Sequence, residues 1–192
     1  RLSAHRMAGV AYSNLGRLDE AQRHRQRAVE LAVETGEAKQ VADCFASLAD
    51  LQGMRGDLGR AEAICLEAMS HCPESAREAL TVLAAVLRAR GRLDEALARL
   101  EQAGRTGVMA SAFFERRMQA VLKTWKAVYK AELGRLEEAR DDLREAVSEL
   151  HRDPKLGLVC EAAWVRLLAL GGGREESVRR ADRLLQGLEE GA

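Results

Sequence analysis

The sequence predicts an all-α chain of stacked helical hairpins, and three observations predict it. The 192 residues lean on Ala, Leu, Arg and Glu, which favour helices, while strand-favouring residues are sparse. The hexapeptide Gly91-Arg92-Leu93-Asp94-Glu95-Ala96 recurs letter for letter at 16–21, nearly so from Gly134 to Ala139, and more loosely at 56–61, where Gly56, Leu58 and Ala61 persist. Each copy lies between two stretches whose apolar residues follow the helical period. Four copies of one turn between two helices are an internal repeat.

Five hairpins follow in order, at about residues 2–36, 38–72, 74–105, 109–152 and 154–189, stacked as one domain over 1–192. In the first, Met7, Val10, Ala11 and Leu15 lie on one side of the leading helix, at the helical period. Gly16 ends it, because glycine adopts the left-handed conformation that closes a helix. Asp19 and Glu20 then place negative charge at the start of the next helix, as its dipole favours, and Ala21, Ala28 and Leu31 face inward. The second hairpin sets Val41, Phe45, Leu48 and Leu51 against Ala61, Ile64, Cys65 and Ala68. The third sets Leu80, Leu83, Ala84 and Leu87 against Leu93, Ala96, Leu97, Leu100 and Ala103. The steps between turn glycines are 40, 35 and 43 residues. The long last step predicts an extended helix from near Ser111 to Leu133, with Phe113, Phe114, Met118, Leu122, Trp125, Tyr129 and Leu133 mainly on one face. Its aromatics either fill core space between units or form an exposed anchor for a partner or dimer, and one of the adjacent Phe113 and Phe114 must point away from the core. In the fifth hairpin, Leu158, Ala162, Val165, Leu168 and Ala169 suggest a helix ending at Gly171-Gly172-Gly173, followed by a charged helix from about 175 to 188. A polar last unit suits the end of a repeat array.

The pattern of a small residue, a large one, glycine, Leu-x-Glu-Ala and a spaced alanine resembles the tetratricopeptide repeat. The first unit supplies Gly9, Tyr12, Gly16, Leu18, Glu20, Ala21 and Ala28, and the third Ala84, Leu87, Gly91, Leu93, Glu95, Ala96 and Ala103. The second supplies Ala49, Gly56, Leu58, Ala61 and Ala68. The fourth supplies Gly134, Leu136, Glu138, Ala139 and Ala146, with Trp125 and Tyr129 shifted one residue upstream. The period, about 40 residues, exceeds the usual 34 or so. In length it is similar to the hairpin arms of large bacterial regulators of the signal-transduction ATPase class. The resemblance implies a right-handed superhelix whose first helices line a concave groove for peptides or partner helices.

Alignment on the turn glycines gives the positions expected to face that groove. They are Arg6, Val10, Ser13 and Asn14; Asp43, Ser47 and Asp50; Glu78, Thr81, Ala85 and Arg88; Lys123, Ala127 and Lys130; and Arg166. Arg116, Lys123 and Lys130 recur every seven residues and form one stripe, either a cationic patch for an acidic ligand or a solvated face. The family's carboxylate clamp needs an asparagine where Val10 stands, so that clamp is not reproduced.

Lys plus Arg and Asp plus Glu are balanced at 30 each, which argues against a dedicated nucleic-acid or membrane-surface protein. Arg23-His24-Arg25-Gln26-Arg27 reads as an exposed helix face, and no apolar run is long enough to cross a bilayer. The four cysteines, Cys44, Cys65, Cys72 and Cys160, lack metal-site spacing and suit a reduced, cytoplasmic setting. Cys65 is expected in the core, and His5, His24 and His151 at the surface without partners. There is no phosphate loop, nucleophile elbow or zinc-protease motif, so neither enzyme activity nor a cofactor is expected. The first residue is Arg1 rather than methionine, which predicts a piece of a longer chain.

The expected function is a protein–protein interaction scaffold that binds a peptide or partner helix in its groove. Two other readings stand beside it. One is a regulatory or self-association arm of a larger signalling or transcription-regulating protein. The other, of a different class, is a small-ligand sensor.

Overall fold

A computed structural model describes residues 1–73, 76–106, 111–150 and 153–190. Ten helices and no strand occur among them: α1 Leu2–Asn14, α2 Leu18–Thr35, α3 Ala38–Met54, α4 Leu58–His71, α5 Arg77–Ala89, α6 Leu93–Arg105, α7 Ala112–Glu132, α8 Leu136–Leu150, α9 Pro154–Leu170 and α10 Arg174–Glu190. The chain is an all-α repeat fold of five hairpins. It divides into two compact units, Arg1–Gly107 and Val108–Ala192. No helix among the described residues is long and apolar enough to cross a membrane.

One turn closes all five hairpins. The residue after the turn glycine donates its N–H five residues back: Arg17 to Tyr12 (2.9 Å), Asp57 to Gln52 (3.0 Å), Arg92 to Leu87 (2.9 Å), Arg135 to Lys130 (2.9 Å) and Gly173 to Leu168 (2.9 Å). This bond satisfies a carbonyl at the helix end and needs a left-handed residue between. Gly91 supplies it at φ 76°, and Gly16, Gly56, Gly134 and Gly172 do the same. The rest of the hexapeptide then explains itself. Arg92 holds Glu95 one turn on through two 2.7 Å bonds, Leu93 re-enters the core half-buried, and Ala96 is fully buried. Arg17 and Glu20 repeat the pair at 2.9 Å. In both pairs the hydrogen bond from the arginine holds the glutamate below its usual pKa.

In the first unit, α3 packs against α2, α4 and α5. Its Val41, Leu48 and Leu51 are buried, as are Ala61, Ile64, Cys65 and Ala68 of α4. Leu80, Leu83, Ala84 and Leu87 of α5 meet Ala96, Leu97, Leu100 and Ala103 of α6 in the same way. Alanine at the crossings lets the helix axes approach closely. Arg77, also buried, donates from Nε to the carbonyls of Ala103 (3.2 Å) and Thr106 (2.9 Å), closing the end of α6.

In the second unit, Ala127, Ala131, Ala139, Leu143, Ala163 and Leu167 form one core cluster, and Ala120, Ala146, Leu150 and Cys160 another. Helix α9 is rotated from expectation: Cys160, Ala163 and Leu167 point inward, while Ala162 and Ala169 are exposed. Pro154 does not merely end the preceding helix. It is the first residue of α9, where its missing N–H is no loss, and Asp153 accepts the Leu156 N–H at 2.9 Å to cap the turn.

Candidate partner-binding site

Helix α1 lies on α2 through its smallest residues. A Cβ on Gly9 would stand 2.7 Å from Cγ of Arg25, so glycine is what lets the arginine's stem lie against α1. Arg25 is buried, at 5% exposure. It donates to Ser13 Oγ on α1 (3.0 Å), to Asp50 on α3 (3.1 Å) and to the Ser47 carbonyl. Ser13 in turn donates to the Gly9 carbonyl at 2.9 Å. The buried cation is thus paired and hydrogen-bonded through its two terminal nitrogens, the condition under which burial of charge is tolerated, while its Nε is left without a partner among the described residues.

With Gly9 and Ser13 inward, the apolar side of α1 is turned out. Met7 is 74% exposed, Val10 48% and Leu15 70%, so the side of α1 that carries the helical period faces outward rather than the core. Close approach of α2 through Gly9 and Ser13 outweighs the larger residues' periodicity. Ser3, Arg6, Met7, Val10, Ala11 and Asn14 line a shallow groove of about 520 Å³, a mixed apolar and polar lining.

The other groove positions separate into smaller groups. Ser47 and Asp50 gather on Arg25, while Asp43 accepts from Lys39 at 3.2 Å. Glu78 is exposed and Arg88 half-buried on α5. In the second unit, Arg116 and Lys123 flank a depression shared with Glu145 and Glu149 of α8. Lys123 pairs with Glu145, and Lys130 with Asp142 (2.8 Å) and Glu138 (3.5 Å). Burial pulls the Lys130 ammonium down, but the two carboxylates outweigh it and raise its pKa overall. The two lysines of the stripe, Lys123 and Lys130, are therefore paired within their own hairpin. Arg166 pairs with Glu132 of α7.

Three other expectations change. Of the two readings of the α7 aromatics, core filler and exposed anchor, Phe113, Phe114 and Trp125 depart from the first: they are 55%, 56% and 38% exposed. Ala120, Thr124, Ala127 and Ala131 take much of the inner face instead, with Leu122 and Tyr129. The segment Arg23–Arg27 is not wholly exposed, because Arg25 is buried. His5 and His24 are not without partners: their Nδ1 atoms lie 3.0 Å apart. His151 lies outside the described residues. Cys65 is in the core, where burial pushes its thiol up to about 12, too high for a thiolate ligand or nucleophile at neutral pH. His71 stacks on Phe45 at 5.2 Å. No group of three or more metal-ligating side chains forms among the described residues.

The tetratricopeptide repeat family model matches residues 2–27 and 77–102, the α1–α2 and α5–α6 hairpins. No curated protein matches the sequence. Among solved structures, a thermophilic TPR protein of Thermus thermophilus, TTC0263, is 20% identical with a TM-score of 0.73, over 97% of this chain and 91% of that one. The nearly identical TPR-like repeats of a Podosopora anserina protein are 17% identical with a TM-score of 0.71, over 97% and 93%. YrrB, a TPR protein with an unusual peptide-binding site, is 16% identical with a TM-score of 0.54, over 93% and 81%. The chain thus carries the tetratricopeptide repeat motif over those two stretches and is similar in fold to tetratricopeptide-repeat proteins.

Proposed function

We propose that this chain is a non-catalytic protein-interaction scaffold that holds a peptide segment along α1. The tetratricopeptide fold is a general interaction scaffold, and YrrB shows that such a protein can carry a peptide-binding site. The carrying observation is the outward apolar strip of Met7 and Val10 between Arg6 and Asn14. Exposed apolar patches rimmed by polar groups mark interaction surfaces, and helical grooves recognise segments with spaced apolar anchors. Arg6 in the same lining suits a carboxylate beside those anchors. The same proposal places the protein in the cytoplasm and assigns it no cofactor.

The test is selection of a displayed random-peptide library against the full chain, followed by affinity measurement with a Met7→Asp/Val10→Asp variant. Selected peptides should share an apolar pair with a nearby acid and bind the variant at least tenfold more weakly. Peptides that bind both proteins equally would overturn the α1 assignment. Loss in a Lys123→Glu/Lys130→Glu variant instead would move the site to α7.

A second reading is favoured by Phe113, Phe114 and Trp125. Their exposure on one helix supports self-association through α7, as expected of a regulatory arm. Sedimentation over a hundredfold concentration range should then show a mass increase that Phe114→Asp abolishes. A constant monomer mass sinks this reading.

A further inference from the structure

We propose that His5 and His24 form a two-histidine site for a borderline divalent transition cation. The pair is formed across a hairpin, 19 residues apart in sequence, with Nδ1 facing Nδ1 at 3.0 Å and ring centroids 5.1 Å apart. Two imidazole nitrogens on one ion at metal–nitrogen distances of about 2.0–2.1 Å lie roughly 2.9–3.4 Å apart for right-angle to tetrahedral geometry. The rings therefore already hold the spacing that an ion would impose.

The site is built rather than incidental. His24 stacks on Tyr12 with centroids 5.2 Å apart and planes 18° from parallel, and the Arg17 guanidinium covers the Tyr12 ring at 4.8 Å. His24 is thus held in orientation, and both rings are only half-buried, which leaves a path for an ion and its waters. No third His, Cys, Asp or Glu joins them among the described residues, so water completes the coordination. Imidazole selects nickel, copper and zinc ions over magnesium.

The proton accounting is simple. The present contact needs one ring to carry its hydrogen on Nδ1 and the other to offer a lone pair. With an ion between them both Nδ1 atoms are ligands, and the displaced hydrogen sits on Nε2 of the same ring. No net proton leaves the pair. The ion would clamp the start of α1 to α2 and raise the stability of that hairpin.

The test uses the untagged full chain at neutral pH, titrated calorimetrically with nickel chloride or zinc chloride and followed by thermal unfolding. One ion per chain, a raised melting temperature and no response to magnesium chloride are expected. His5→Ala and His24→Ala should each weaken binding at least tenfold. His24→Phe, which keeps the stacking on Tyr12, should do the same while preserving the metal-free melting temperature. His71→Ala/Cys72→Ser should bind as the parent does. No uptake by the parent chain overturns the proposal. So does uptake unchanged in His24→Phe, or uptake lost in His71→Ala/Cys72→Ser.

Discussion

Helices α1 and α3 hold the same place in consecutive hairpins, yet α3 is largely enclosed and α1 largely bare. Aligned on Gly16 and Gly56, Ala8 and Ala11 of α1 stand where α3 has Leu48 and Leu51. The two leucines are 7% and 0% exposed, whereas Ala11 is exposed and Ala8 half-buried. Helix α3 has three packing neighbours, and α1 has its main contact with α2. In a repeat array the burial of a position follows from the helices around it more than from its own residue type. The chain's residues answer the difference: α3 is held by apolar area, while α1 is held by Gly9, Ser13 and the buried Arg25.

The widest contrast should come from truncation. Leu51→Ala removes a fully buried side chain and should cost about 2–5 kcal/mol, while Met7→Ala should stay within about 0.5 kcal/mol. Urea denaturation of both variants measures this, and equal losses would break the comparison. Next comes the register of the repeat itself. Ala96→Leu places bulk at a fully buried crossing and should cost roughly 1–3 kcal/mol; an unchanged melting curve would mean the hairpin is not packed there.

Two glycine replacements sharpen the point with opposite signs. Gly9→Ala presses against an arginine whose head is clamped, and should destabilise by roughly 1 kcal/mol. Gly59→Ala on α4 meets nothing within 4 Å and should stabilise by about 0.5–1 kcal/mol through helix propensity.

The smallest effect extends the comparison to the second unit, where α10 is tied to α9 by charge. Arg180 donates to Glu161 at 2.5 and 2.9 Å, and that hydrogen bond lowers the Glu161 pKa from its ordinary 4.5. A lowered carboxyl contributes stability above its unfolded value and loses it as pH falls through the folded one. Stability should therefore drop below about pH 4.5, with less than about 1 kcal/mol from this pair. Glu161→Gln should flatten that acid limb in a pH series of melting temperatures.

The hairpins were legible in the sequence because their turns use local chemistry. The left-handed glycine, the Arg–Glu pair and the buried alanine all lie within six residues, so the hexapeptide marks the turn without knowledge of the rest of the fold. The inward faces of α3 to α6 were legible too, since most of the large apolar residues there are buried, with Phe45 and Leu93 half-buried. The face of α1 was not. Its large residues point one way, and its small ones, Gly9 and Ser13, decide the packing through a partner 16 residues away from Gly9 in sequence. The i, i+4 spacing of these two small residues was the available signal. Trp125 escaped for a similar reason: the alanines at 120, 127 and 131 set the packed side of α7. The His5–His24 pair and the Lys130–Asp142 pair each join two helices of a hairpin, and helical periodicity along one helix carries no trace of them.

Arg25 also couples events in time. Its guanidinium touches α1 at Ser13 and α3 at Ser47 and Asp50, so α1 cannot lift away without leaving a buried cation partly unpaired. Local opening in small steps is thereby penalised. Backbone amides in the middle of α1 should exchange with deuterated solvent in concert with those of α2, as one cooperative unit, rather than fraying ahead of them.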